Sequence, residues 1–194
     1  MCATDSGLKD SIGTSSHGLL FPGESKAILL GFAGEYQPKD YASSTRQELL
    51  GQLGVEYWLE ELSQRWGISR KGFEVILITD SQSSIDIMDN VLGHRSIRDT
   101  LLPEMDVALE IFRLQSEHQW VRKRLIKVES HIEMIQAPDK IYWECNELVD
   151  KLATHARTVY IRDSLENVQE HYFQIRKPGA VSKEHWRTIG CIKH

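Results

Sequence analysis

Four carboxylates and one histidine stand out as side chains that could do chemistry together: Asp5, Glu48, Asp80, Asp150 and His131. Carboxylates crowded into one place repel each other, and a bound cation relieves that cost. Hard divalent ions such as Mg²⁺ prefer oxygen ligands, so carboxylates suit them better than His or Cys. Two such ions about 4 Å apart can activate a water and stabilise the leaving oxygen of a phosphodiester in an in-line displacement. A nearby histidine would move protons or assist product release.

The elements that must position these groups are legible in outline. The clearest is Val75-Ile76-Leu77-Ile78-Thr79-Asp80-Ser81, an apolar run that ends on a carboxylate. It predicts a strand over 73–79, covered on both faces. Asp80 then falls at the carboxyl end of that strand, where open α/β sheets place their ligands. Ser44 to Leu62 carries apolar residues at 49, 50, 53, 57, 58 and 62, which is helical spacing, and Ser44 with Gln47 makes a capping-box pattern. Residues 2–5 read as the short end of a strand and Gly7 to Gly13 as a loop. Pro22-Gly23-Glu24-Ser25 separates strands at 17–21 and 26–35 in a hairpin.

Helices are expected over 83–91 and from Pro103 to Gln115, and a strand over 124–131. A last helix after Pro138 has an apolar stripe of Cys145, Leu148, Val149, Leu152, Ala153 and Ala156. Asn146 and Asp150 share its polar edge at i and i+4. The order β-β-β-α-β-α-α-β-α is an α/β arrangement, a mixed five-stranded sheet flanked by helices. Residues 1–162 form one expected domain. Residues 163–194 show no clean period and are expected to be a C-terminal appendage.

The 194 residues are 41% hydrophobic and 26% charged, which suits a globular domain with a real core. A net charge of -5 argues against affinity resting on an overall basic surface. Local basic candidates remain: Arg122-Lys123-Arg124 with Lys127, and Arg65, Arg70 and Lys71. Cys2, Cys145 and Cys191 are odd in number and far apart, which supports neither a zinc site nor a disulfide framework. The expected setting is intracellular, nucleus or cytoplasm, with no secretion signal and no membrane span.

Four segments carry a family likeness. Ala3-Thr-Asp-Ser-Gly7, Ser43-Ser-Thr-Arg-Gln-Glu48-Leu49, Ile78-Thr-Asp80-Ser-Gln82 and Asn146-Glu-Leu-Val-Asp150-Lys-Leu-Ala153 occur in order over roughly residues 1–160. Together they resemble ribonuclease H type 1, particularly the ribonuclease H domains of retroelement reverse transcriptases. The resemblance implies a ribonuclease H-like fold and hydrolysis of the RNA strand of RNA–DNA hybrids, leaving a 5′-phosphate and a 3′-hydroxyl. It implies two Mg²⁺ ions, with Mn²⁺ as a substitute, held by Asp5, Glu48, Asp80 and Asp150. His131 would be the family's mobile loop histidine. Thr45, Gln82 and Asn146 would contact substrate, where selection of RNA depends on the 2′-hydroxyl. A reverse transcriptase domain of the same polyprotein would be a partner.

Three features depart from the family pattern. The first motif reads Asp-Ser-Gly rather than Asp-Gly-Ser, only four residues precede Asp5, and Glu133, Met134 and Ile135 follow His131 where glycines are usual. Each acidic residue alone also has a plain structural reading. Asp80 suits a helix N-cap, Glu48 a first helical turn, Asp150 a solvated helix face, and Asp5 a fraying terminus. The histidines other than His131 are expected on the surface. Two alternatives stay open: a catalytically degenerate ribonuclease H-fold binding or connecting domain, and a DNA nuclease of the same fold.

Overall fold

The computed structural model describes residues 1–9, 12–23, 26–38, 43–66, 73–93, 104–117, 121–130 and 132–165. His131 and residues 166–194 lie outside this set. Within it the elements follow the expected order. They are β1 (Cys2–Lys9), β2 (Ile12–Pro22), β3 (Ala27–Pro38), α1 (Ser44–Trp66), β4 (Phe73–Thr79), α2 (Gln82–Gly93), α3 (Met105–Glu117), β5 (Val121–Lys127) and α4 (Lys140–Leu165), with a 3₁₀ turn at Met134–Gln136. The strands form one mixed sheet in the order β3-β2-β1-β4-β5. β1, β2 and β3 are antiparallel neighbours, while β1–β4 and β4–β5 run parallel. The parallel pairs need crossovers, which α1 and the α2–α3 unit supply.

Strand alternation sends successive side chains to opposite faces. Cys2 and Leu77 pack with Val55 of α1 on one face, and Ala3 and Ile78 pack with Cys145 and Val149 of α4 on the other. A third cluster joins Leu49, Leu50 and Leu53 of α1 to Val107, Ala108 and Ile111 of α3. The bidentate Arg46–Asp106 pair, at 2.6 and 2.7 Å, ties these helices at their first turns.

Several boundaries differ from expectation for local reasons. β1 is eight residues long, so Asp5 lies mid-strand rather than at a short strand's end. Ser43, not Ser44, caps α1: the Arg46 N–H donates to its hydroxyl at 2.9 Å. Ser81 takes the cap position at α2, where the Ser84 N–H donates to its Oγ at 3.3 Å. β5 begins three residues before the expected start and ends at Lys127. α4 begins on Asp139, whose carboxylate accepts from the N–H groups of Ile141 and Tyr142.

His17 is the clearest correction to the surface assignment of histidines. It lies on β2, only 2% exposed, edge-on to Trp58 with ring centroids 4.5 Å apart. Gly51 and Gly54, one turn apart on α1, face β1 and β2. A Cβ at Gly51 would sit 3.0 Å from the Ser16 carbonyl oxygen, and one at Gly54 would fall 2.2 Å from His17 Cε1. Mid-helix glycine costs roughly 1 kcal/mol against alanine; here it lets the helix lie close on the sheet. Gly54→Ala is therefore expected to cost about 3 kcal/mol of stability, read by urea denaturation, with partial recovery in a His17→Ala background. Unchanged stability in the single variant would refute the close-approach account.

Candidate metal centre

The register of the sheet builds the site. Ala3 of β1 pairs with Ile78 of β4, and the ladder ends there. Two residues further on, Asp5 and Asp80 come level at the point where the parallel strands part. Ser81, not Asp80, serves as the α2 cap, and Asp80 lines the cleft. Glu48 arrives from the second turn of α1, and Asn146 and Asp150 from the middle of α4.

Carboxylate oxygens of Asp5, Glu48 and Asp80 lie within 4.8 Å of one another. These three line a cleft of about 230 Å³ together with Asp150 and Asn146. All four candidate carboxylates therefore meet in one place. Ser6, Ser44, Ser81, Ser130 and Glu147 complete the lining, none of them a candidate site residue from sequence. Only the setting of Ser6 and Ser81, each directly after a candidate Asp, offered a signal. Thr45 and Gln82 sit one residue along from lining positions. Gln82 is exposed and donates to Asp86 Oδ1 at 2.8 Å. His131 is not among the described residues. Its neighbour Ile132 accepts a hydrogen bond from the Trp143 indole at 3.1 Å, so Trp143 ties the loop after β5 to α4.

The electrostatics are those of buried, mutually repelling acids. Burial, then the charges of Glu48 and Asp80, push the Asp5 carboxyl up to about 9, against the pull of the Ser6 backbone N–H. Burial raises Glu48 to about 7, opposed chiefly by the Ser6 hydroxyl and to a lesser degree by Thr79. The Ser6 Oγ–H donates to Glu48 Oε1 at 2.6 Å and the Thr79 hydroxyl to Oε2 at 3.4 Å. Asn146, 6% exposed, keeps an Oδ1 with no hydrogen-bond partner among the described residues. A buried acceptor is costly when unpaired, and its residue borders the cleft. An all-oxygen donor set with excess negative charge fits a hard divalent cation. Of the basic candidates, Arg124 and Lys127 stand exposed on the edge strand β5, with Lys127 3.7 Å from Glu129. Arg70 and Lys71 fall outside the described residues.

Solved structures share this architecture. The N-terminal ribonuclease H domain of a Mycobacterium tuberculosis protein, solved as a fusion with maltose-binding protein, matches with a TM-score of 0.52 at 11% identity, over 84% of this chain and 97% of that one. LC11-RNase H1, isolated from compost by a metagenomic approach, matches at 0.53 and 17% identity, over 82% and 96%. The foamy viral protease-reverse transcriptase solved with double-stranded DNA matches at 0.52 and 14% identity, over 79% and 88%. No family model matches the sequence, and no curated protein matches it. Identities this low establish the fold alone: the chain has the ribonuclease H fold, and in fold it resembles both type 1 ribonucleases H and the foamy viral protease-reverse transcriptase.

Proposed function

We propose that the chain is a metal-dependent endonuclease that hydrolyses the RNA strand of RNA–DNA hybrids. The supporting observation is the meeting of Asp5, Glu48, Asp80 and Asp150 in one cleft of a ribonuclease H fold. These four would hold two Mg²⁺ or Mn²⁺ ions, which when bound supply an activated water and charge stabilisation at the leaving oxygen. Asn146 lines the cleft and would contact the substrate strand, where the 2′-hydroxyl distinguishes RNA from DNA. Thr45 and Gln82 would border the same strand, and His131 would move a proton during product release.

Likeness to a foamy viral protease-reverse transcriptase supports a retroelement origin, with a polymerase domain of the same polyprotein as partner; an intracellular setting would go with that reading. Residues 163–194 would be an appendage or tail of the domain, although α4 itself runs to Leu165. Among the described residues, no helix is long and apolar enough to cross a membrane. A stunted first strand would favour the degenerate-domain alternative. β1 instead runs from Cys2 to Lys9 and pairs with β2 along its whole length.

The test is cleavage of an end-labelled RNA–DNA hybrid in Mg²⁺, with EDTA and Asp80→Asn as controls. The expected result is cuts in the RNA strand that vanish with either control, a loss of at least about a thousandfold. A folded protein that leaves the hybrid intact in both Mg²⁺ and Mn²⁺ would sink the reading. Cuts in a DNA duplex but not in the hybrid would favour a DNA nuclease of the same fold.

A further inference from the structure

Glu48 has unequal oxygens. Because strand residues alternate, Asp5 and Ser6 leave β1 on opposite faces, and Ser6 meets α1. Its hydroxyl donates to Glu48 Oε1 at 2.6 Å, with the Ser44 carbonyl 3.4 Å away as a much poorer acceptor. Short hydrogen bonds to a carboxylate are the strong ones. The bond to Oε2 from Thr79 is long, at 3.4 Å. One oxygen of Glu48 is therefore committed to the protein, and the other is only lightly held.

That asymmetry matters for the choice of ion. Mg²⁺ is small, strictly octahedral and satisfied by single carboxylate oxygens, while Ca²⁺ takes six to eight ligands and favours bidentate carboxylates. The Ser6 bond takes one lone-pair direction of Oε1 and fixes the carboxylate's orientation, which disfavours a cation held symmetrically by both oxygens. We propose that Ser6 sets the ion preference of this centre by fixing the orientation of the Glu48 carboxylate against bidentate binding, which favours Mg²⁺ over Ca²⁺. Ser6 touches no reacting atom in this scheme and is a positioning residue. The inference rests on the metal-dependent reading above.

Titration calorimetry with MgCl₂ and with CaCl₂ tests it without reference to activity, on the unaltered chain, Ser6→Ala, Ser6→Thr and Asp80→Asn. In Ser6→Ala the Mg²⁺ affinity is expected to fall about tenfold, as for loss of a partner that orients a ligand. Ca²⁺ affinity is expected to hold or rise, so the Mg²⁺-to-Ca²⁺ ratio drops by roughly tenfold or more. Ser6→Thr retains the hydroxyl and is expected to restore the ratio. A ratio in Ser6→Ala within about twofold of the unaltered chain, with Asp80→Asn binding lost, would overturn the role of Ser6 alone. Unaltered protein that binds neither ion, or Asp80→Asn that binds as well as the unaltered chain, would overturn the metal site and this inference together.

Discussion

Asp5→Asn is expected to abolish hybrid cleavage and, in the same molecule, to stabilise the metal-free protein. Asp5 is 5% exposed, and burial, then the charges of Glu48 and Asp80, push its carboxyl from 3.8 to about 9. The folded chain thus binds a proton that the unfolded chain releases across the neutral range. Stability from this group is complete below pH 3.8 and is lost progressively as pH rises toward 9. Holding that proton at pH 7 costs on the order of 4 kcal/mol. Asparagine removes the linkage and keeps the shape.

Urea denaturation in EDTA should show Asp5→Asn more stable by roughly 2–4 kcal/mol at pH 7, with the gain fading toward pH 4. Mg²⁺ should erase the difference by stabilising only the unaltered chain, since a bound cation relieves the same repulsion. Cleavage should fall at least about a thousandfold. A variant that is less stable than the parent at pH 8 in EDTA would contradict the account of Asp5 as a strained acid.

Acid is expected to unfold the protein through His17. Burial alone lowers its pKa from 6.5 to about 3. Below pH 6.5 the unfolded chain takes up a proton that the native chain refuses, so stability is lost as pH falls and the loss is complete near pH 3. Integrated over that window it amounts to about 5 kcal/mol, comparable to the whole stability of a marginal domain. The Asp5 and Glu48 carboxyls act in the opposite sense as pH rises, so metal-free stability should peak in the mildly acidic range. His17→Val suits a strand and removes the titration. Its stability should be lower than the parent's at pH 7, where packing against Trp58 is lost, and should gain steadily on the parent's between pH 6 and 4, since the Asp5 and Glu48 contributions are common to both and only the His17 loss is removed. Parallel pH profiles for the two proteins would rule out His17 as the acid trigger.

The features that were legible in sequence are those with a strong local period or a distinctive residue at a junction. The continuous apolar run of β4 and the stripe on α4 are of this kind, and they fixed the neighbourhood of Asp80 and Asp150. β2 shows where such reading ends. Gly13-Thr-Ser-Ser-His-Gly18 has little β propensity and few apolar side chains, yet Thr14, Ser15, Ser16 and His17 are all buried. Its place between β1 and β3, under α1 and α4, makes it a strand; context overrides propensity. Ser16 meets this demand by donating to the Val149 carbonyl at 2.7 Å. Gly51 and Gly54 carried no signal of close approach, because the sheet they approach is remote in sequence. Ser6 was legible only as a departure from a pattern. Its partner Glu48 lies 42 residues away and enters through folding.

The β1–β4 ladder has a consequence for when this centre comes into being. Asp5 sits on the first strand and Asp80 follows the fourth, joined through the short Cys2–Leu77 and Ala3–Ile78 pairing, while Asp150 waits on the last helix. A chain emerging from the ribosome can form the β1–β2–β3 meander early, since its contacts are local. Parallel pairing across some seventy residues is slower, because loop-closure entropy is spent before the contacts form. The ligand set is then complete only after α4 has been synthesised and docked. Metal retention would thus report that the whole domain has folded, and a truncated product would carry scattered acids with no centre to join them.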